Sequence, residues 1–279
     1  MMHALLFLAA ASPSAEAAVD KLIRTELAFA ADTAARGPAY SFRAFVAPNA
    51  IGLFPNPDTK ALELVNARQK IESRPLPPAP VPARIVWWPA VAGVAASGEI
   101  GFTSGPVSFL KNGTYGFVFT VWEKQADGSW KYYFDGGPKT DGPSTFSQTD
   151  AVRRLPTASA RAKNAVAAEA EVRRAEARIA AVAVRDVAGA YRPYLADFTQ
   201  LMGSGGQPTF GIADAGTELG RRGHSIAFEP LGSRSAKSGD LVFTYGRAVI
   251  DGSKPAGYTR IWQNSRRGWK IVVDQVQTP

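Results

Sequence analysis

The chain has 279 residues, 46% hydrophobic and 20% charged, a balance that supports packed cores and argues against extended disorder. It has no Cys, which excludes disulfides, thiol nucleophiles and Cys-bound metals, and only His3 and His224 are available for imidazole chemistry. The net charge of +8 is spread as single residues and dyads such as Arg221-Arg222 and Arg266-Arg267, which argues against a dedicated nucleic-acid face.

The opening MMHALLFLAAASPSAEA has an apolar run from Ala4 to Ala11, then small residues and an Ala15-Glu16-Ala17 pattern. It reads as a signal peptide over 1–17, with the mature protein periplasmic or secreted. No other apolar run reaches the ~18 residues that span a bilayer, so the mature chain is expected not to be membrane-spanning. Val19, Leu22, Ile23, Leu27, Ala31 and Ala34 then recur at helical spacing, and Gly37-Pro38 stops the helix. A shorter helical piece is expected after Asp58, with Leu62 and Val65 facing inward. Four strands rich in Val, Phe, Tyr, Trp and Thr follow, separated by Gly-containing turns such as Asp127-Gly128. Residues 141–158 are turn formers without periodicity and read as a linker. From about Ser159 to Ala190 an Ala- and Arg-rich run buries Val172, Ala175, Ile179, Val182 and Val187 on one stripe. The glycine-rich Leu201–Pro208 lacks the spacing and the Lys of a phosphate loop and reads as a plain loop.

The chain says the same thing twice. GEIGFTSG at Gly98–Gly105 returns 141 positions later as GDLVFTYG at Gly239–Gly246. On the same offset Trp87-Trp88-Pro89 falls on Phe228-Glu229-Pro230, and further on Trp122, Trp130 and Asp135 match Trp262, Trp269 and Asp274. Helices followed by hairpin-linked strands, in duplicate, define an α+β fold of two domains, 18–140 and 159–279.

The entry W/F-x-P, the small-Gly-acid turn, the T-x-G strand and the final Trp-Lys strand ending in Asp resemble the SnoaL-like domain of unknown function 4440. That family lies within the nuclear transport factor 2-like superfamily. The resemblance implies two cone-shaped domains, each a curved antiparallel or mixed sheet wrapped on N-terminal helices around a pocket. It also implies that the two sheets pair within one chain, leaving a monomer. It does not choose an activity, because the superfamily holds enzymes and non-catalytic proteins alike.

Asp135 and Asp274 end the last strand of each copy, and a carboxylate among aromatics suits general acid or base work as well as a structural role. Strict alternation places Lys131, Tyr133 and Asp135 on one face of that strand. Glu99 and Asp240 follow a turn Gly and read as turn stabilisers. His224 is the third catalytic candidate. Arg260, between Tyr258 and Trp262, can hold a carboxylate ligand, pair with Asp274 or stack on the aromatics. The second copy carries more polar groups, so the expected pocket gathers Asp274, Arg260, Tyr245, Tyr258 and His224, with the first copy mainly a packing partner. The expected function is binding of a small apolar or amphipathic molecule, with no metal or cofactor. The alternatives are an isomerase, dehydratase or hydrolase using a pocket Asp, and an interaction module with filled cones.

Overall fold

The computed structural model describes residues 13–56, 58 and 62–278. The apolar run of the expected signal peptide lies outside them. Helix α1 (Pro13–Arg36) ends at Gly37, whose φ of 83° is the left-handed turn the Gly-Pro stop requires. Helix α2 (Pro38–Phe45) leads into a hairpin of β1 (Ile51–Pro55) and β2 (Leu62–Asn66), and α3 (Ala67–Glu72) follows with Asn66 as its cap. The helix expected to carry Leu62 and Val65 is therefore a strand. Leu62, Leu64 and Asn66 pair with Pro55, Leu53 and Ile51, and helical structure starts only where Asn66 caps Gln69.

The rest of the first repeat is a seven-stranded sheet. It comprises β3 (Ile85–Trp87), β4 (Val91–Val94), β5 (Ile100–Phe109), β6 (Thr114–Lys124), β7 (Trp130–Gly136), β8 (Lys139–Thr140) and β9 (Arg153–Arg154). Strands β3 and β4 both pair with β5, interrupted at Pro89, which cannot donate to the ladder. The segment expected to be a linker supplies β9, which runs parallel to β4 at the sheet edge.

The second repeat comprises α4 (Ala165–Ala183), α5 (Val187–Tyr191), β10 (Leu195–Met202), β11 (Thr209–Phe210), α6 (Ile212–Arg221), β12 (Ile226–Ser235), β13 (Leu241–Ile250), β14 (Lys254–Ser265) and β15 (Gly268–Gln277). Its six strands lie in the order β11-β10-β15-β14-β13-β12, with β10 parallel to β15 and the other pairs antiparallel, so the sheet is mixed. Each sheet curves around its first helix. Leu22, Phe29, Trp87, Trp122 and Tyr132 pack in the core of the first cone, and Val172, Ile179, Tyr191, Trp262 and Ile271 in that of the second.

The opposite faces of the two sheets share a third core. Phe102, Phe119 and Phe134 meet Phe243, Ile261 and Val273, and Phe243 touches the rings of Phe119, Tyr133 and Phe134. The repeated turns meet reciprocally. Ser97 Oγ and Ser238 Oγ, the same position of the two copies, lie 2.6 Å apart. Asp240 accepts from the Ala96 N–H at 2.9 Å, while Glu99 accepts from the Lys237 N–H at 2.6 Å. Equivalent residues facing one another is the signature of a twofold, here internal to one chain.

The rest of the repeated octet has its reason in the same geometry. Gly98 and Gly239 take φ of 70° and 67° in the turn. A Cβ at Gly105 would lie 1.9 Å from the Trp88 carbonyl oxygen and one at Gly246 2.3 Å from that of Glu229, so only glycine lets the Pro-bearing strand cross there.

Candidate functional site

Both cones are built on the same buried acid. Glu26 of α1 and Glu176 of α4 each sit within the apolar stripe of their helix, in the series Leu22, Glu26, Phe29 and Val172, Glu176, Ile179. A buried carboxylate needs donors, and the sheet supplies matching ones. Thr103 donates to Glu26, as does Trp122 Nε1 at 3.1 Å. Thr244 donates to Glu176 at 2.6 Å and Trp262 Nε1 at 2.9 Å. Sequence reasoning missed both glutamates, although an acid inside a helical apolar stripe is a readable signal.

The second acid reaches each cone through a β-bulge. In the first repeat Val121 pairs with Phe134 but Trp122 with Tyr132, leaving Tyr133 as an extra residue. In the second, Ile261 pairs with Val273 and Trp262 with Ile271, leaving Val272 extra. The bulge breaks strict alternation. Tyr133 and Phe134 both join the core between the sheets, and Asp135 returns to the cone face beside Tyr132. Asp274 is re-aimed in the same way.

From here the cones diverge. Facing Thr244 on β14 is Arg260; facing Thr103 on β6 is Thr120. The Arg260 guanidinium donates to Asp274, to Glu176 and, at 2.6 Å, to the Tyr191 hydroxyl. It also stacks 4.4 Å from the ring centres of Phe228 and Tyr258. Arg222 adds a second buried cation, bonded to Asp274 and Glu218. Burial opposes the charge of both arginines, but their anionic neighbours outweigh it and raise both pKa values further. Arg260 and Asp274 are fully buried.

This corrects the expected site in four respects. Arg260 pairs with Asp274 and Glu176 and stacks on the aromatics, fully buried, so its guanidinium is not presented to a ligand. Tyr258 is packed into the same cluster and is inaccessible. Tyr245 lies on the other face of the sheet, in the core between the repeats, because Thr244 takes the inward position on β13. His224 is exposed outside the cone, its backbone N–H held by Asp251 at 2.8 Å. Around Arg260 the second cone is filled by the chain's own side chains, and only its outer end, at Arg222, Ile250 and Val276, borders a concavity of about 590 Å³.

The first cone is open. A cavity of about 330 Å³ is walled by Phe42, Ile51, Phe54, Ile71 and Tyr132, and another of about 300 Å³ by Phe42, Trp87, Val107 and Val118. Both linings are mainly apolar and both include Asp135. The second cavity is bordered by Val118, which faces Gly105 where the larger Tyr258 faces Gly246, and on the same strand Thr120 stands for Arg260.

Asp135 accepts from Thr120 Oγ1 at 2.8 Å through Oδ1, and among the described residues it has no ion pair. Burial and the nearby Glu26 push its pKa up to about 7, against the Thr120 hydrogen bond. Burial likewise raises the pKa of Glu26, against the donors Thr103, Trp87, Trp122 and Thr120. Trp87 Nε1 donates to Glu26 at 2.7 Å, a bond for which Phe228 in the second cone has no donor.

Elsewhere, the topology brings Arg192, Arg266, Arg267 and Lys270 around a concavity of about 480 Å³, so part of the basic excess is gathered. Of the segment expected as a loop, Leu201 and Met202 end β10, and the turn after them is tied to α6 by Glu218, which accepts from the Ser204 N–H at 3.0 Å. Among the described residues no group of acids and His is placed to hold a metal ion, and no helix is long and apolar enough to cross a membrane.

Fold and site together define a tandem two-cone α+β protein with one filled and one open cone. No family model and no curated protein matches the sequence. Solved structures similar to part of the chain include an NTF2-like protein of unknown function from Pseudomonas putida, 20% identical, TM-score 0.35, over 42% of this chain and 89% of that one. A DUF3225-family protein of unknown function from Pectobacterium atrosepticum is 18% identical, TM-score 0.35, over 40% and 91%. An NTF2-like protein from Cytophaga hutchinsonii is 15% identical, TM-score 0.31, over 39% and 95%. Each spans about one repeat of this chain.

Proposed function

We propose that the first repeat is the working half of the chain and that its cone binds a small, largely apolar molecule through Asp135. The reading rests on two apolar cavities that both border Asp135, the smaller of them lined by Val118, which stands where Tyr258 is packed in the second repeat. Apolar walls supply affinity, roughly 25 cal/mol per Å² buried, and a single carboxyl fixes orientation. Native mass spectrometry of protein from its own host, wild type beside Val118→Tyr, tests this. The expected result is a co-purifying molecule that is lost when the cavity is filled. An empty wild type, or a molecule kept equally by the variant, overturns it.

A second reading is general acid–base catalysis by the same residue. One feature favours it: burial and the nearby Glu26 push the Asp135 pKa up to about 7, where a carboxyl both takes and returns a proton. Deuterium wash-in beside the carbonyl of a small ketone, abolished in Asp135→Asn, is the expected signature, and wash-in unchanged by that variant excludes the role. We further place the protein in the periplasm or outside the cell, as a monomer whose second repeat serves as the built-in partner of the first. N-terminal sequencing that finds Met1 intact on cell-derived protein overturns the export, and a two-chain mass in light scattering overturns the monomer.

A further inference from the structure

Between the two acids that both cones share, the second cone has a positive charge that the first lacks, besides the Arg222–Glu218 pair at its outer end. In the second, Arg260 places a guanidinium between Glu176 and Asp274, under the rings of Tyr191, Phe228 and Tyr258. In the first, the same two acids remain, Glu26 and Asp135, while the cation has become Thr120. We propose that the first cone recognises a compact organic cation, a protonated amine or guanidinium on an apolar body, which takes the place that Arg260 fills in the second. The inference rests on the small-molecule reading above and names its ligand class.

The surroundings suit such a ligand. Phe42, four residues before Val46 bridges β7, stands where Tyr191 stands four residues before Leu195 pairs with β15. Trp87, facing Val107, stands where Phe228 faces Ala248. The smaller cavity, bordered by Val118 in place of Tyr258, is thus walled by two of the aromatic positions that stack on Arg260, and one is a Trp, the strongest cation–π partner. Asp135 Oδ2 accepts no hydrogen bond from the described residues, and Asp135 borders both cavities. The charged groups nearby are Arg43 and Arg74, which border the larger cavity, and Lys139, which borders the smaller. Arg43 donates to the carbonyls of Ile71, Glu72 and Arg74, Lys131 of β7 donates to that of Ala44, and none of the four acts on the charge state of Asp135. A buried carboxylate with a desolvated cation is a strong, oriented pair, and a missing partner leaves the acids repelling one another. A neutral carbonyl ligand would instead need Asp135 protonated, so the two ligand classes have opposite pH dependence.

Calorimetric titration of the full chain with phenethylamine, phenethyl alcohol and phenylacetate separates them. At about pH 8 the amine is expected to bind at least about tenfold tighter than the alcohol, the scale of one charge-assisted bond, and to weaken about tenfold or more by pH 5.5 as Asp135 protonates. Asp135→Asn is expected to erase the amine preference without erasing alcohol binding. Thr120→Arg, which supplies the cation from within, is expected to block the amine and to raise the melting temperature at pH 8. An alcohol bound as tightly as the amine, or an amine preference that survives Asp135→Asn, overturns the cation and leaves the binding cone standing. Tighter binding of phenylacetate does the same, and no binding of any of the three by a chain that also carries no co-purifying molecule overturns both.

Discussion

Asp135 and Asp274 end matching strands, yet their surroundings give them opposite consequences. Asp274 is held by two buried arginines, so Asp274→Asn leaves two cations short of a partner and is expected to cost about 3–5 kcal/mol in urea unfolding. Among the described residues Asp135 has no cation partner, and its pKa is raised to about 7, against roughly 4 for an unfolded Asp. Between those values the native chain binds more protons than the unfolded one, so this residue lowers stability progressively as pH rises through that window. Glu26 acts in the same direction. Asp135→Asn should therefore leave stability near pH 4 almost unchanged and raise it at pH 8 by on the order of 2 kcal/mol, allowing for partial exposure to the cavity. Melting curves across that range check the sign: a variant less stable than wild type at pH 8 contradicts it.

At the scale of elements, the turns and bulges decide where side chains go. The Gly98 and Gly239 turns present an acid to the other repeat, and Asp240 takes both the Ala96 N–H and the Ser238 hydroxyl. Asp240→Ala strips a buried acceptor from both donors and is expected to lower the unfolding free energy by about 1–3 kcal/mol. A urea midpoint equal to wild type shows the turn contact to be dispensable. The bulges at Tyr133 and Val272 are matched devices: each moves two consecutive side chains to the core between the sheets and turns the next residue, an Asp, into the cone.

For the whole molecule, the sheet faces that would be exposed on a single repeat cover one another. Phe243 is fully buried at the centre of that contact, against Phe119, Tyr133, Phe134 and Tyr245. Phe243→Ala is expected to cost about 3–5 kcal/mol, read as a lower denaturation midpoint with both repeats unfolding together. Two separate transitions in the wild-type chain would show that the repeats do not stabilise one another. With the shared faces covered, one cone is packed around its own arginine and the other keeps its cavities.

The duplication, the α+β order of elements, the glycines of the repeated octet and the aromatic anchors were legible in the residues, because spacing and turn chemistry are local properties. Thr103 with Thr244 and Trp122 with Trp262 were also visible as pairs, but their purpose, solvating Glu26 and Glu176, needed the helix laid against the sheet. Alternation misassigned the last strand, because a bulge is a property of two paired strands and cannot be read from one. The count of polar residues pointed to the second repeat, since a sequence lists donors and acceptors without showing which are already spent on each other. Only the tertiary structure showed Arg260 paired with Asp274 and Glu176. It also showed that the cone with Thr120 and Val118 at the places of Arg260 and Tyr258 is the one left open.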